Sequence, residues 1–190
     1  MRKYGLYLMM LAATLFCVTS CSDEEEDHLN GWMVANQNAL NAIKTNPDYK
    51  EIKSPGGEGS VYYKVIEKGD GTEPILYTSS IKCYYKGSFA VDYPEYNIKK
   101  GDVFDKVLFE NGTPFFISTG FTLVNSSGQI TGSVINGWKT ALQHMVKGDK
   151  WEVWIPYQLG YGRGGGGSIP GYSTLVFEME VVDTRSIDDI

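Results

Sequence analysis

The chain has 190 residues, a formal net charge of −6 and 42% hydrophobic residues. This length suits one folded domain that buries roughly two-thirds of the surface its unfolded chain exposes. A negative net charge argues against nucleic-acid binding and against adhesion to anionic lipid by charge alone.

Residues 1–20 have the pattern of a bacterial lipoprotein signal peptide. Arg2 and Lys3 precede an apolar stretch over 6–18 that is too short to span a bilayer comfortably. It ends at Val18-Thr19-Ser20-Cys21, which resembles a lipoprotein cleavage box and predicts lipidation of Cys21. More than one acyl chain gives stable membrane anchoring. An ordinary signal peptidase site, with Cys21 as a stray thiol, is the alternative.

An acidic run over 22–27 follows the lipidation site. Such a run is normally a solvated tether, so residues 21–28 are predicted as a tether. The run also resembles the acidic export signal that follows the lipidated cysteine of surface lipoproteins. Together these features predict a lipid-anchored protein of the bacterial cell envelope. We expect the outer membrane, and surface exposure if the acidic run is an export signal.

Residues 29–59 are predicted as an N-terminal helix and a linker. Apolar residues recur at helical spacing until Asn46-Pro47 stops the pattern, namely at Leu29, Trp32, Met33, Leu40 and Ile43. We expect this helix to pack on a sheet. The glycine-rich segment 54–59 predicts a flexible joint before the first strand.

The remaining pattern predicts about five strands and one helix, typical of an α+β domain in which a sheet wraps one helix. Strands are predicted over 61–66, 81–86, 115–118, 150–155 and 175–181. The helix carries an apolar stripe that consists of Trp138, Ala141, Leu142 and Met145, and Gly148 is predicted to stop the helix.

Seven short motifs occur in one order along the chain. They are Cys83-Tyr84-Tyr85-Lys86-Gly87, Val103-Phe104-Asp105, Pro114-Phe115, Val134-Ile135-Asn136-Gly137-Trp138, Tyr161-Gly162, Ile169-Pro170 and Leu175-Val176-Phe177. In this order they resemble the FKBP-type peptidyl-prolyl cis-trans isomerases. The resemblance runs from about Val61 to Asp183 and implies an antiparallel sheet, an isomerase domain over 60–184 and a tail over 185–190.

The resemblance also implies the site residues. An aromatic pocket for a proline ring would consist of Trp138 as its floor with Tyr85, Phe104, Phe115 and Phe177. The backbone of Val134 and Ile135 would meet the substrate carbonyl. Asp105 would lie beside the twisting amide, Tyr161 would donate a hydroxyl hydrogen bond, and Ile169 would belong to a flap.

Each of these residues also has a purely structural interpretation. A single tryptophan such as Trp138 is often simply core, and an aspartate such as Asp105 beside a strand end is usually a turn or cap residue. The hydroxyl of Tyr161 is equally compatible with a loop corner. The glycine run 162–167 lacks the Lys-Ser/Thr ending of a phosphate loop and precedes a strand, so it predicts a hairpin over the pocket.

The implied reaction needs neither a cofactor nor a metal, because rotation about an X-Pro bond breaks no covalent bond. Resonance sets a rotation barrier of roughly 18–20 kcal/mol, and an apolar pocket penalises the polar planar amide more than the twisted one. The two histidines lack a ligand cluster at metal-binding spacing.

The implied partners are proline-containing polypeptides and macrolide ligands, with a homodimer through the N-terminal helix as a further implication. Two insertions relative to the family pattern, 88–101 and 121–132, would lie at the pocket rim. The alternative function is a non-catalytic module that binds a peptide or a glycan, for which exposed aromatic residues such as Tyr93 and Tyr96 would serve.

Overall fold

The computed structural model describes residues 22–108, 117–119, 123–124, 130–131 and 134–186. Its helices are α1 (Ser22–Lys44) and α2 (Asn136–Leu142), and single 3-10 turns lie at Pro94–Tyr96 and Tyr157–Leu159. Its strands are β1 (Lys50–Lys53), β2 (Ser60–Glu67), β3 (Ser80–Phe89), β4 (Val103–Val107), β5 (Ile117–Ser118), β6 (Leu123–Val124), β7 (Ile130–Thr131), β8 (Lys150–Ile155) and β9 (Leu175–Arg185).

The main sheet has the strand order β1-β2-β8-β9-β3-β4, with β5 paired to β3, and each of these pairs is antiparallel. Strands β6 and β7, both within the second insertion, pair as a separate two-stranded antiparallel sheet. The predicted α+β fold, an antiparallel sheet wrapped around one short helix, is therefore confirmed. Strands β1, β4, β6 and β7 were not predicted.

The core lies between α2 and the inner face of the sheet. Alternate residues of β8 and β9 point into it, and α2 covers them with Trp138, Ala141 and Leu142. Burying each large apolar side chain contributes about 1.5–3 kcal/mol. At the start of α2 the approach is close, because a Cβ on Gly137 would lie 2.3 Å from Cγ2 of Ile155.

The helix predicted to extend to Met145 ends at Leu142. The next turn tightens, since the amides of His144 and Met145 donate to the carbonyls of Ala141 and Leu142 at 2.9 and 3.0 Å. Asp149 then caps the turn by accepting from the amide of Val146 at 2.9 Å. Met145 is still buried, so its predicted core position holds although it is not helical.

The backbone is helical from Ser22 onward, so the described part of the predicted tether is continuous with α1. The segment 54–59 does not precede the first strand, contrary to the sequence prediction. It is the turn of the β1–β2 hairpin, in which the amide of Ser54 donates to the carbonyl of Gly59 at 2.9 Å.

Helix α1 packs on its own domain, as the sequence predicted. Trp32, Asn36 and Leu40 are buried, and Leu40 contacts Trp154 and Tyr62 on the outer face of the sheet. The apolar face of α1 is thus largely covered by its own chain. Dimerisation through α1 stays a prediction. In the described part of the chain, no helix has both the length and the hydropathy needed to cross a membrane.

We expect Gly137→Ala to lower the free energy of unfolding by about 1–3 kcal/mol, because the added methyl group overpacks against Ile155. Urea denaturation followed by far-ultraviolet circular dichroism measures the change. Gly31→Ala is the matched control, since Gly31 is an exposed residue of α1 with open space at the Cβ position. It should raise stability by up to about 1 kcal/mol. Equal effects of the two substitutions would contradict the close contact.

Candidate active site

A cavity of about 110 Å³ opens between α2, strands β3, β4 and β9, and the loop that follows β8. Its lining residues are Tyr85, Asp105, Ile117, Val134, Ile135, Trp138, Tyr161 and Phe177. Five of them come from strands or from α2 and are therefore fixed by regular hydrogen bonding. The cavity is the one in which most of the predicted site residues meet.

The floor of the cavity is the indole of Trp138, which is only 4% exposed. The rings of Tyr85 and Phe177 contact it edge to face, at centroid distances of 5.1 and 5.3 Å and interplanar angles of 85° and 88°. Edge-to-face pairs are a preferred aromatic geometry and add about 0.5–1.5 kcal/mol beyond area burial. The three rings form a preorganised apolar box.

The register of neighbouring strands sets this box. Gly87 on β3 is opposite Phe177 on β9 and Asp105 on β4. A Cβ on Gly87 would lie 2.6 Å from Phe177 and 2.7 Å from Phe104, so only glycine leaves room for both rings. Strand β4, which the sequence did not predict, is the element that brings Asp105 to the cavity mouth.

Polar groups gather at the mouth of the cavity. The hydroxyl of Tyr85 donates to Oδ2 of Asp105 at 2.9 Å. Burial raises the pKa of Tyr85 well above its ordinary value, and the hydrogen bond to Asp105 and its negative charge raise it further. Burial, followed by the charge of Asp105, also raises the pKa of Tyr161. Both phenols therefore stay protonated at neutral pH; Tyr85 donates to Asp105, and the hydroxyl of Tyr161 is the donor offered to a substrate.

Val134 and Ile135 lie immediately before α2 and line the cavity from that side. Ile135 is the N-cap residue of α2, with φ −59° and ψ 155°, and its carbonyl accepts from the amide of Lys139 at 3.2 Å. The change from extended to helical backbone at this point presents the chain edge to the cavity, while Trp138 follows one turn later as the floor.

The structure brings together seven of the residues predicted for the site: Tyr85, Asp105, Val134, Ile135, Trp138, Tyr161 and Phe177. Phe115 and the predicted lipidation site Cys21 lie outside the described residues. Ile117 lines the cavity but was not predicted. The signal for it was available, because residues two apart in a strand share a face and Phe115 had been assigned to the pocket.

Phe104 and Ile169 are not among the residues that line this cavity, and the roles predicted for them stay predictions. The ring of Phe104 instead lies behind Phe177 at 5.6 Å and also contacts Phe89 at 5.2 Å. Ile169 is buried in the core cluster and lines a different groove, beside α1 and the first insertion. Tyr93 and Tyr96 of that insertion line the same groove.

The aromatic residues of the first insertion differ in exposure. Tyr96 is 65% exposed, as predicted. Tyr93 is buried, contrary to the prediction, because its ring stacks between Trp32 at 4.5 Å and Tyr96 at 4.6 Å. Sequence reasoning could not anticipate this, since Trp32 comes from α1, about sixty positions earlier in the chain.

Comparison with known proteins agrees with this geometry. The family model described as FKBP-type peptidyl-prolyl cis-trans isomerase matches residues 77–182. The Macrophage infectivity potentiator of Trypanosoma cruzi is 33% identical over 135 residues, which cover 70% of this chain and 56% of that protein. The FKBP-type 22 kDa peptidyl-prolyl cis-trans isomerase of Escherichia coli K12 is 35% identical over 127 residues, covering 66% and 50%.

Among solved structures, a peptidyl-prolyl cis-trans isomerase from Pseudomonas syringae pv. tomato superposes with a TM-score of 0.60 and 25% identity. The match covers 83% of this chain and 96% of that one. The chain belongs to the family of FKBP-type peptidyl-prolyl cis-trans isomerases. It spans about half the length of the two relatives named above.

The raised pKa of Tyr85 makes a prediction about alkaline titration. Between the ordinary tyrosine value of 10.0 and the raised pKa, the folded chain keeps a proton that the unfolded chain releases, so the free energy of unfolding falls as pH rises. Asp105→Asn removes one cause of the shift, and Tyr85 should then ionise at lower pH. Phenolate absorbance, compared with a Tyr85→Phe control that lacks this group, measures the shift. An unchanged titration would show that Asp105 does not act on Tyr85.

Proposed function

We propose that this protein is a peptidyl-prolyl cis-trans isomerase that accelerates X-Pro bond rotation during the folding of exported or surface proteins. The observation that carries the proposal is one cavity with three aromatic rings at its base and a protonated hydroxyl donor at its mouth. Apolar walls suit a proline ring, and the donor suits a carbonyl oxygen that has rotated out of the amide plane.

Desolvation is the proposed source of the rate acceleration. A planar amide gains resonance energy by separating charge between nitrogen and oxygen, and twisting removes that separation. Water stabilises the planar form, so a cavity formed by Trp138, Phe177 and Ile117 that excludes water raises the energy of the ground state relative to the twisted state. Phe104 supports this role from behind by holding the ring of Phe177.

Hydrogen bonding at the mouth is proposed to hold the rotated amide. Tyr161 donates to the carbonyl oxygen, and the backbone at Val134 and Ile135 positions the peptide across the cavity. Asp105 accepts a hydrogen bond from the hydroxyl of Tyr85 and so fixes the Tyr85 ring against Trp138. Because no proton moves in the chemical step, no general acid or base is required.

The experiment that tests the proposal is an isomerase assay on proline tetrapeptides with the lipid-free chain. Tyr161→Phe should lower kcat/KM by about two- to tenfold, equivalent to one hydrogen bond of about 0.5–1.5 kcal/mol. Tyr157→Phe is the matched control, because it removes a hydroxyl from the same loop outside the cavity lining.

Rates should vary little between pH 6 and 8, since the pKa values of Tyr85 and Tyr161 are raised above 10.0 and neither group ionises in that range. A macrolide ligand of the family should compete with the peptide and change the fluorescence of Trp138. Peptide binding without turnover would identify a binding module instead of an enzyme. A bell-shaped pH profile would contradict the desolvation mechanism.

We also propose that Cys21 carries a lipid anchor in the outer membrane of the bacterial cell envelope. The support is the basic start, the apolar stretch over 6–18 and the box that ends at Cys21. The acidic run after it is proposed to direct the protein to the cell surface.

Replacing the lipidated thiol tests this anchor. Cys21→Ser should leave the protein without acyl label and move it from the membrane fraction to the soluble fraction. Cys83→Ser is the control, because that buried thiol lies in β3 and has no part in the anchor. Acyl label retained in the Cys21→Ser protein would overturn the assignment.

A further inference from the structure

Helix α1 is attached to the loop that carries Tyr161. The indole Nε1–H of Trp32 donates to the carbonyl of Gly171 at 2.8 Å. One turn later, Oδ1 of Asn36 accepts from the amide of Thr174 at 2.7 Å. Trp32 is 2% exposed and Asn36 is 1% exposed, so both hydrogen bonds are shielded from water. These two hydrogen bonds hold the loop on either side of Tyr172.

Tyr172 has an uncommon backbone conformation. Its φ is 61°, in the left-handed region that bulky residues rarely adopt. Such a residue persists where its surroundings over-determine it, and such residues cluster at ligand clamps. Trp32 and Asn36 help to hold Tyr172 in this conformation, because they bind the carbonyl of the residue before it and the amide two residues after it.

The contact continues to the cavity through the backbone. The amide of Tyr172 donates to the carbonyl of Gly162 at 3.0 Å, and the amide of Gly162 donates to Tyr157 at 2.8 Å. Gly162 directly follows Tyr161. The Tyr161 ring in turn lies against Gly166, where an added Cβ would be 2.8 Å from Cδ1. Tyr161 is thus one residue away from Gly162, which is hydrogen-bonded to the segment that α1 holds.

We propose that Trp32 and Asn36 are positioning residues, which act from α1 through Gly171, Tyr172 and Gly162 to set the orientation of the Tyr161 hydroxyl. Neither side chain is among those that line the cavity. The kinetic consequence rests on the proposed isomerase function, whereas the structural consequence does not. Two separate measurements therefore test the proposal.

The first measurement is hydrogen exchange of the loop amides, which needs no activity. Trp32→Phe removes the indole donor, and the amides of Gly162 and Tyr172 should then exchange about three- to tenfold faster. Leu40→Ala is the matched control, because it removes packing of the same helix on the sheet at a side chain that has no hydrogen bond to the loop. It should leave these two amides unchanged. Equal acceleration by both substitutions would overturn the proposal.

The second measurement is a double-mutant cycle on kcat/KM. Trp32→Phe should lower kcat/KM about two- to fivefold in the wild-type background and have no further effect in a Tyr161→Phe background, because its influence passes through that hydroxyl. Additive losses in the cycle would show that Trp32 acts by another route. If the wild-type chain has no isomerase activity, the proposed function fails and hydrogen exchange alone decides the positioning role.

If the Trp32→Phe variant does not fold, hydrogen exchange of the wild-type chain decides the proposal. The indole N–H of Trp32 and the amide of Tyr172 should open together, with the same dependence on low concentrations of denaturant. If the Tyr172 amide exchanges freely while the Trp32 indole stays protected, the loop moves independently of α1 and the proposal is wrong.

Discussion

The contact between Gly137 and Ile155 is the constraint on which the fold and the cavity both depend. Helix α2 has only seven residues, and so short a helix is not stable alone in water. It forms because it packs closely on β8, which requires that residue 137 have no side chain. The same close approach places Trp138, the next residue, under the rings of Tyr85 and Phe177. Stability and cavity geometry are therefore two results of one packing contact.

The cavity divides into a rigid apolar part and a polar part that needs support. Tyr85, Asp105 and Phe177 lie on paired strands, and Trp138 lies on a packed helix, so regular hydrogen bonds hold the ring box. Tyr161 lies in a loop, where no ladder fixes it. Sites on regular elements are more precise than sites on loops, unless packing and further hydrogen bonds hold the loop. The contacts from α1 fall where this support is needed.

Much of the fold could be predicted from sequence because its signals are local. The alternation in β8 and β9 predicted which side chains face the core, and the motif before Trp138 predicted where α2 begins. Strand β1 gave no such signal, because its sequence Lys-Glu-Ile-Lys buries only Ile52. One apolar residue among three charged residues shows no alternation, so the period of a strand cannot be detected there.

The candidate site was predictable to the extent that residue type determines position. Aromatic residues in the family motifs predicted Tyr85, Trp138 and Phe177 at the cavity. The position of Phe104 depends on the space beside Gly87, which no motif reveals. The ring of Phe104 fills this space and contacts the ring of Phe177. The contacts of Ile169 depend likewise on long-range packing against the first insertion.

The outer face of the sheet shows why α1 belongs to the folded domain. Alternation placed Trp154 on the side opposite the core, yet it is buried because Leu40 of α1 covers it. Beneath the helix, Glu152 accepts from Nε1–H of Trp154 at 2.7 Å and from the hydroxyl of Tyr49.

Burial, followed by the hydrogen bond to Glu152, raises the pKa of Tyr49 to about 12. A polar network of this kind is favourable only while it is shielded and fully paired, since an unpaired buried donor costs about 1–3 kcal/mol. The sheet is therefore built to be covered on both faces, by α2 on one and α1 on the other. The unit that folds around the cavity thus includes α1 and extends beyond the motifs that identify the family.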